Sequence, residues 1–322
     1  MKSWVFGSRD DPGGWREIDP GTLPGEPVHV EVTHSALNYK DALSLTGRAP
    51  ISRVFPMVPG IDLVGTVLSD ESNTFVPGDV VIATGHGLGE RFWGAYSQQA
   101  RLRPEWLIRL PSGMAPLEAA AFGTPGVTAA IALAALESHG IRPGQGPVLV
   151  TGASGGVGTF ASLLLKHAGY EIAAATGRDN EDDYLRANGA TEIIRRAELE
   201  GEPRPLGKER WRAAIDVAGG RVLANILSSI TYSGAVAACG LAGSMDLPTS
   251  VAPFILRGVS LLGIDSVMAP ADIRQRAWAR LAEAKPTIAF DTVVTRHRFG
   301  DVAGLAEDLI AQRLRGRAVL DW

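Results

Sequence analysis

Short apolar runs separated by glycine and proline fill residues 1–110 of the chain. Each run either alternates apolar with polar residues or is apolar throughout, and the intervening glycines and prolines interrupt regular structure. This pattern predicts short β-strands that form a small β-rich domain. The predicted strands are VHVEVTHSAL (28–37), IDLVGTVL (61–68), DVVIAT (79–84) and AYSQQARL (95–102).

From residue 115 onward the pattern changes, because strand-like apolar runs now alternate with helical segments. In GVGTFASLLLKHAG, for example, Val157, Phe160 and Leu164 recur at the spacing of one helix face. Strands and helices in alternation predict a βαβ series and therefore a parallel sheet with helices on both faces. The predicted strands are VLVTG (148–152), EIAAAT (171–176), EIIR (192–195), AAIDVA (213–218) and AVAACG (235–240).

The remaining elements complete the predicted domain division. Asp179 and Asn180 are candidate N-caps of a helix that is expected to stop at Asn188-Gly189. After a further strand, VSLLGIDS (259–266), the tail is expected to return to the first domain. We therefore predict one domain at residues 1–115 and a second at 116–255. The tail, residues 256–322, is expected to supply the last strand of the second domain's sheet and then to return to the first domain.

A glycine-rich loop lies where the first strand of the βαβ series turns into its helix. Gly152, Gly155, Gly156 and Gly158 allow the backbone to approach a pyrophosphate closely, and the helix N-terminus supplies free N–H groups. Strand, loop, helix and second strand occur in the order that dinucleotide binding requires. The loop therefore predicts a dinucleotide cofactor.

The end of the second strand indicates which dinucleotide is bound. Enzymes that bind NAD usually place an acidic residue there to bond the ribose 2′-hydroxyl. This chain instead has Thr176, Gly177 and Arg178. Because a hydroxyl and a guanidinium suit a 2′-phosphate, we predict NADPH as the cofactor.

TGASGGVG (151–158) is also similar to the loop of the short-chain dehydrogenases, which need a Tyr-x-x-x-Lys pair for proton transfer. None of the five tyrosines is followed four residues later by lysine. The residues found at these five positions are Leu43, Ala100, Ala174, Asn188 and Val236. The short-chain family is therefore excluded.

Over nearly its whole length the sequence resembles the medium-chain dehydrogenase/reductase superfamily. The resemblance is carried by VPGIDLVGTV (58–67), VPGDVVIATG (76–85), GAYSQQARLRPEWLIRLPSGM (94–114) and AAAFGTPGVTAAIAL (119–133). It implies an α/β fold with a Rossmann-type doubly wound parallel sheet and a β-rich GroES-like catalytic domain.

The zinc-binding members of that superfamily use cysteine and histidine ligands that this chain does not have. Where they read Gly-His-Glu it has Gly60-Ile61-Asp62, and its one cysteine is Cys239. Four cysteines are needed for a Cys-based structural zinc site, so no metal is expected.

A closer resemblance is to the zinc-free, quinone oxidoreductase-like branch, and within it to the acrylyl-CoA reductase group. ALNYKDALSLTGR (36–48), FPMVPGID (55–62) and GHGLGERFWGAYSQQAR (85–101) carry it, together with the segment from AACGLAG (237–243) to VSLLGIDSVM (259–268). The resemblance implies reduction of the C2=C3 bond of acryloyl-CoA to propionyl-CoA with NADPH. The alternatives are reduction of a quinone, an enone or an alkenal, and a non-catalytic NADPH-binding protein.

The resemblance also implies the site residues. Tyr39 would lie at the nicotinamide end of the cleft as a hydrogen-bond or proton donor, with Asn38 as a further amide donor. Lys40 and Asp41 are expected to form a local ion pair without a catalytic role. The cofactor contacts implied, besides Tyr39, are Ser154, Gly155, Gly156, Val157, Thr176, Gly177, Arg178, Leu241, Ile255 and Ser266.

Composition limits the partners. A net charge of −4 without a long basic run argues against nucleic acid. The apolar stretch at 113–136 is interrupted by Pro116, Gly123, Pro125 and Gly126, so we interpret it as buried helix rather than a membrane span. A single cysteine and no secretory-type N-terminal segment favour the cytoplasm. By analogy with relatives, VSLLGIDSVM is a candidate edge strand for a homodimer.

Overall fold

The computed structural model describes residues 1–322 and separates them into two compact units. The first, which we name the β-rich unit, comprises Met1–Thr124, Val267–Lys285 and Ala289–Trp322. The second, the parallel-sheet unit, comprises Pro125–Ser266 and Pro286–Ile288.

Fifteen strands and nine α-helices make up the two units. The strands are β1 (Lys2–Val5), β2 (Gly14–Glu17), β3 (Val28–Ala36), β4 (Asp62–Asp70), β5 (Val80–Thr84), β6 (Gln99–Leu102), β7 (Leu107–Arg109), β8 (Val148–Val150), β9 (Ile172–Thr176), β10 (Ala190–Arg195), β11 (Trp211–Asp216), β12 (Ile230–Ala238), β13 (Ser260–Gly263), β14 (Val294–Arg298) and β15 (Arg317–Asp321). The helices are α1 (Tyr39–Leu45), α2 (Pro116–Ser138), α3 (Gly156–His167), α4 (Asp182–Ala187), α5 (Gly220–Ser229), α6 (Ala252–Arg257), α7 (Ala271–Ala284), α8 (Phe290–Val293) and α9 (Val302–Ile310).

The β-rich unit is organised around a seven-stranded sheet with the order β14-β15-β3-β4-β5-β7, in which β6 also pairs with β3. Strand β15 comes from the end of the chain and pairs antiparallel with β3, so that Val319 lies opposite Ala36. The tail of the chain is thereby part of the same sheet as β3 to β7, whereas β1 and β2 form a separate two-stranded sheet. This pairing brings Arg317, the first residue of β15, beside the residues that follow β3.

Tryptophan side chains pack where the two ends of the chain meet. Trp322 stacks on Phe299 with ring centroids 4.3 Å apart, and Trp15 meets the Trp322 ring edge-on at 5.5 Å. Aromatic pairs of this kind add to the energy of simple area burial. They hold the C-terminal residue against the N-terminal hairpin β1-β2.

The parallel-sheet unit contains a six-stranded sheet with the order β10-β9-β8-β11-β12-β13. All five pairings are parallel. Both faces of the central strands are covered, which explains why residues 148–150 and 172–176 are apolar runs and fully buried. The strand order reverses between β8 and β11, and ligands of such sheets bind at the carboxyl ends of the strands near this point.

Helix α4 begins later than the sequence predicts. Asp179 and Asn180 were expected as N-caps, but the helix begins at Asp182 with Glu181 in the capping position. The loop before it is held by two ion pairs, Arg178 with Glu181 at 3.6 Å and Arg195 with Asp182 at 2.9 Å. The prediction of the cap was wrong because the Glu181 pair forms within the loop itself, and Arg195, which holds Asp182, comes from the neighbouring strand β10.

Helix α2 is the one helix long and apolar enough to cross a membrane by length and composition. Its most apolar window has a mean hydropathy of 1.6, but 78% of that window is buried inside the protein. Gly123 within it has non-helical angles (φ 42°, ψ −149°), so that two helical segments meet there. A helix buried to this extent packs in the core of the protein, as the sequence interpretation expected.

Candidate active site

The glycine-rich loop joins β8 to α3 at the carboxyl edge of the parallel sheet. Gly155 caps α3 in an extended conformation, and Gly152 has φ +56°, a conformation that L side chains rarely adopt. A Cβ atom at Gly158 would lie 2.3 Å from the carbonyl oxygen of Gly152. Only glycine therefore allows the helix to start this close to the loop, and its first N–H groups are available for a phosphate.

A buried carboxylate, Asp216, fixes the loop relative to the next strand. It ends β11 and accepts hydrogen bonds from the Thr151 hydroxyl (2.7 Å) and from the backbone N–H of Gly219 (2.8 Å). Burial raises the pKa of Asp216 above its ordinary value. Cys239 donates its thiol to the Asp216 carbonyl, and burial raises the pKa of that thiol to about 12, so it is no nucleophile.

Three arginines surround the end of β9, where a 2′-phosphate would be read. The Thr176 hydroxyl accepts a hydrogen bond from the backbone N–H of Arg178. A Cβ atom at Gly177 would lie 2.7 Å from Cζ of Arg196, so the guanidinium lies directly against this glycine. Arg195, whose register partner is Thr176, donates to the Arg178 carbonyl at 3.4 Å. These cations are the donors that a phosphate group requires.

Sequence reasoning identified Arg178 and missed Arg195 and Arg196. Arg195 ends β10, the strand next to β9 in the sheet, and Arg196 follows it directly; the carboxyl ends of parallel strands meet at one edge. The sequence therefore contained a signal for both residues. Because β9 and β10 are consecutive strands of a parallel sheet, arginines at the end of β10 are expected to lie beside the end of β9.

The other residues expected to contact the cofactor are more dispersed. Leu241 lies in the loop after β12, where its Cα is 3.4 Å from the position of a Cβ atom on Gly219. The Ile255 side chain on α6 is 73% exposed. The Ser266 hydroxyl lies 2.6 Å from that of Thr128. The structure therefore brings Leu241 to the loop that follows β11, while Ile255 faces solvent.

In the β-rich unit, Asn38 lies at the centre of a buried polar network. It precedes α1 and is 5% exposed. Its amide nitrogen donates to Asp62 at 2.8 Å and to Asp41 at 3.1 Å, and its amide oxygen accepts from Arg317 at 3.1 Å. Both amide hydrogens and the oxygen are thus engaged within the protein.

Arg317 and Asp62 form a buried ion pair in this network. Their side chains are 3% and 2% exposed, and the nearest nitrogen and oxygen are 3.3 Å apart. Arg317 also donates to the carbonyls of Ala121 and Leu37, both at 2.8 Å. Asp62 accepts from the backbone and hydroxyl of Thr124. A buried pair persists only when its remaining donors and acceptors are satisfied in this way.

Asp41 is the third charged group of the network, and the expected pairing with Lys40 is wrong. The Lys40 ammonium contacts Glu90 instead. Asp41 points inward and accepts hydrogen bonds from the backbone N–H groups of Asn38 (3.0 Å) and Ile61 (3.1 Å). The reason is helix geometry, because consecutive residues of a helix do not face each other.

Burial and the neighbouring charge of Asp62 raise the pKa of Asp41 to about 7. Tyr96 is fully buried near the same carboxyl group, and burial together with the charges of Asp41 and Asp62 raises the pKa of its phenol well above the ordinary value. Tyr39, by contrast, is the first residue of α1 and is 46% exposed. The structure therefore gives Asn38 and Asp41 to the buried network and leaves the side chain of Tyr39 accessible.

The raised pKa of Asp41 predicts a loss of stability with rising pH. Unfolded Asp41 releases its proton near pH 4, but the folded protein keeps it to about pH 7. Between about pH 4 and pH 7 the folded state therefore binds more protons than the unfolded state, so the free energy of unfolding falls as pH rises through this range. From pH 5 to pH 8 we expect a loss of about 3 kcal/mol through this residue.

Urea titrations at several pH values measure this effect, with Asp41→Asn as the comparison. The variant should gain stability relative to the native protein as pH rises to 7, and the difference should level off above pH 8. A difference that is constant with pH would contradict the assignment.

The donor set does not fit a zinc ion. No group of three or more His, Cys, Asp or Glu side chains is arranged to hold a metal. The carboxylate oxygens of Asp62 are engaged by Arg317, Asn38 and Thr124.

Comparison with known proteins agrees with both units. The alcohol dehydrogenase GroES-like domain matches residues 24–112, and the zinc-binding dehydrogenase family matches residues 156–283. The chain is similar to Acrylyl-CoA reductase AcuI of Ruegeria pomeroyi, with 47% identity over 307 residues, which are 95% of this chain and 93% of that protein.

Two solved structures share the fold along the entire chain. The yhdH oxidoreductase from Salmonella enterica in complex with NADP is 43% identical with a TM-score of 0.97, covering 100% of both chains. The Bacillus subtilis protein yhfP with NAD bound is 39% identical with a TM-score of 0.95, covering 100% of this chain and 98% of that one. The chain therefore belongs to the medium-chain dehydrogenase/reductase superfamily, in its zinc-free, quinone oxidoreductase-like branch.

Proposed function

We propose that this protein reduces the C2=C3 bond of an α,β-unsaturated acyl-CoA with NADPH, and that acryloyl-CoA, which gives propionyl-CoA, is the favoured substrate. The observation that carries the proposal is the 47% identity to an acrylyl-CoA reductase over 95% of the chain. The basic residues around Gly177 support NADPH over NADH, because a 2′-phosphate needs such donors.

The reaction adds a hydride at C3 and a proton at C2, while the thioester carbonyl takes up negative charge. NADPH, when bound, supplies the hydride. We propose that the Tyr39 phenol donates a hydrogen bond or the proton, since its side chain is 46% exposed at the start of α1. A donor aimed at the developing charge is the main contribution a protein can make to such a step.

Asn38 is proposed to act by positioning rather than by touching substrate. Both hydrogens of its amide are engaged by Asp62 and Asp41. These bonds fix the residue that precedes Tyr39, and so orient the phenol at the start of α1. For the cofactor we propose the contacts expected from the sequence, namely Ser154–Val157, Thr176–Arg178, Leu241, Ile255 and Ser266, with Arg196 added.

The test is oxidation of NADPH, followed by its absorbance, with acryloyl-CoA, crotonyl-CoA, a quinone and an enone. We expect turnover with the acyl-CoA substrates and the highest kcat/KM with acryloyl-CoA. Turnover with the quinone or enone alone would replace the proposal with the alternative reductase. No turnover with any of them would favour a protein that binds NADPH without catalysis.

Replacing Tyr39 with phenylalanine should lower kcat by about 10²-fold, the scale of a lost proton donor. The KM for NADPH should change little, because the ring remains and only the hydroxyl is removed. Steady-state kinetics with acryloyl-CoA measure both quantities. Tyr232→Phe is a matched control, since Tyr232 is 68% exposed on the parallel-sheet unit. Unchanged kcat in Tyr39→Phe would remove this residue from the mechanism.

Three further expectations stay proposals. We propose a homodimer, supported by β13, an edge strand whose residues 260–262 are only partly buried. We propose a cytoplasmic location, with one cysteine whose thiol is buried. We also keep the predicted domain division at residues 1–115, 116–255 and 256–322.

A further inference from the structure

A cavity of about 430 Å³ lies in the β-rich unit, and no residue of the polar network lines it. One wall is the loop after β1, at residues 8–12. The other is the end of α1, with the segment that follows it at residues 46–52. None of the residues that we placed in the catalytic or cofactor machinery lines it, so we name it the α1-end cavity.

The lining of the α1-end cavity combines apolar surface with two cations. Phe6, Leu45 and Phe55 supply flat or branched apolar walls, and Arg9 and Arg48 supply the charges. Flat apolar walls suit a purine ring, and guanidinium groups suit a phosphate, which they bind by two parallel hydrogen bonds.

Both arginines are available to a ligand. Arg9 is exposed and makes no hydrogen bond or ion pair. Arg48 has one carboxylate near it, Glu307 at 3.9 Å, and both side chains are more than half exposed (58% and 59%). An exposed pair at this distance contributes little energy, so a phosphate can displace it readily.

The acidic residues of the lining do not cancel these charges. Asp11 is engaged by the backbone N–H groups of Gly7 (2.7 Å) and Gly13 (2.9 Å) and by Arg16 at 2.6 Å. Its charge is therefore compensated locally. Asp10 is exposed to solvent at the mouth of the cavity. The lining therefore has two cations, of which only Arg48 has a weak and exposed carboxylate neighbour, against one carboxylate that is not compensated locally.

We propose that the α1-end cavity binds the 3′-phosphoadenosine end of the coenzyme A thioester. This inference rests on the proposed function, and it names the part of the substrate that lies outside the reacting bond. The purine lies against the partly buried Leu45 and Phe55 side chains, and Arg9 and Arg48 bind the phosphates.

The position of α1 fits this arrangement. Tyr39 is its first residue and Leu45 its last, so the two lie about 9 Å apart along the helix axis at 1.5 Å per residue. The pantetheine arm is long enough to run from a thioester near Tyr39 past the helix. The Ser52 hydroxyl donates to the Gly89 carbonyl at 3.0 Å, which holds the far wall in place.

The experiment compares acryloyl-CoA with acryloyl-pantetheine, which has the same reacting group but no nucleotide. For the double variant Arg9→Ala/Arg48→Ala, the KM for acryloyl-CoA should rise about tenfold to hundredfold, since charge-assisted bonds to phosphate are lost. The KM for acryloyl-pantetheine and both kcat values should stay unchanged. Arg53→Ala is the matched control, since Arg53 belongs to the same exposed segment but does not line the cavity. An equal rise for both substrates, or none for acryloyl-CoA, overturns the inference.

Direct binding keeps this inference separate from the proposed function. Calorimetry with adenosine 3′,5′-bisphosphate measures binding to the cavity even if no acyl-CoA is reduced. Saturating NADPH is present so that the cofactor site is already occupied. We expect binding to the native protein, at least tenfold weaker binding to the double variant, and weaker binding of adenosine 2′,5′-bisphosphate. Equal affinity of the native protein and the double variant, no binding at all, or no preference between the two bisphosphates overturns the assignment.

Discussion

Replacing Arg317 with methionine is expected to lower the free energy of unfolding by about 3–5 kcal/mol. Methionine fills a similar volume but leaves Asp62 as a buried charge without its cation. The carbonyls of Ala121 and Leu37 lose their donor at the same time. Urea unfolding followed by tryptophan fluorescence measures the change, because six of the seven tryptophans lie in the β-rich unit.

Arg313→Met is the control for loss of an arginine in the same unit. Arg313 contacts Asp308 at 2.6 Å, but the two side chains are 62% and 42% exposed, so the expected change is below about 1 kcal/mol. Adding Asp62→Asn to Arg317→Met should recover part of the loss, because it removes the uncompensated charge. Similar small effects for Arg317→Met and Arg313→Met would contradict a stabilising role of the buried pair.

The parallel sheet could be predicted from the sequence because its strands are buried on both faces. Residues 148–150 and 172–176 are continuous apolar runs, and each is followed by a segment of helical periodicity. Strands β1 and β2, four residues each, carry no such pattern. Their register is set by their pairing with each other and by the packing of tryptophan side chains. A short stretch of sequence contains neither piece of information.

The polar network could be predicted only in part. Asn38 and Tyr39 were identified through a resemblance, and Asp62 only as the residue that replaces a zinc-family glutamate. Arg317 could not be identified, since it lies 255 residues from Asp62 and reaches it only when β15 pairs with β3. Asp41 was assigned to a local ion pair because the residue before it in sequence is a lysine. Long-range strand pairing, rather than residue type, determines this site.

Arg178→Ala combined with Arg196→Ala is expected to raise the KM for NADPH by about 100-fold while changing that for NADH less than about threefold. The Arg196 guanidinium lies against Gly177, and Arg178 follows Gly177 directly. Each charge-assisted bond to a phosphate is worth about 1.5–3 kcal/mol, and two of them account for a change of this size. NADH has no 2′-phosphate, so it does not use either bond.

The two arginines already have carboxylate neighbours, Glu181 at 3.6 Å from Arg178 and Glu200 at 2.9 Å from Arg196. These pairs keep the guanidinium groups at the end of β9, and a doubly charged phosphate competes well for their remaining donors. Arg221→Ala is the matched control, because Arg221 is 60% exposed and its nearest carboxylate is the 83% exposed Glu202. An equal rise in KM for NADPH and NADH would show that the double variant disturbs the loop rather than phosphate recognition. An unchanged preference for NADPH would place the 2′-phosphate elsewhere.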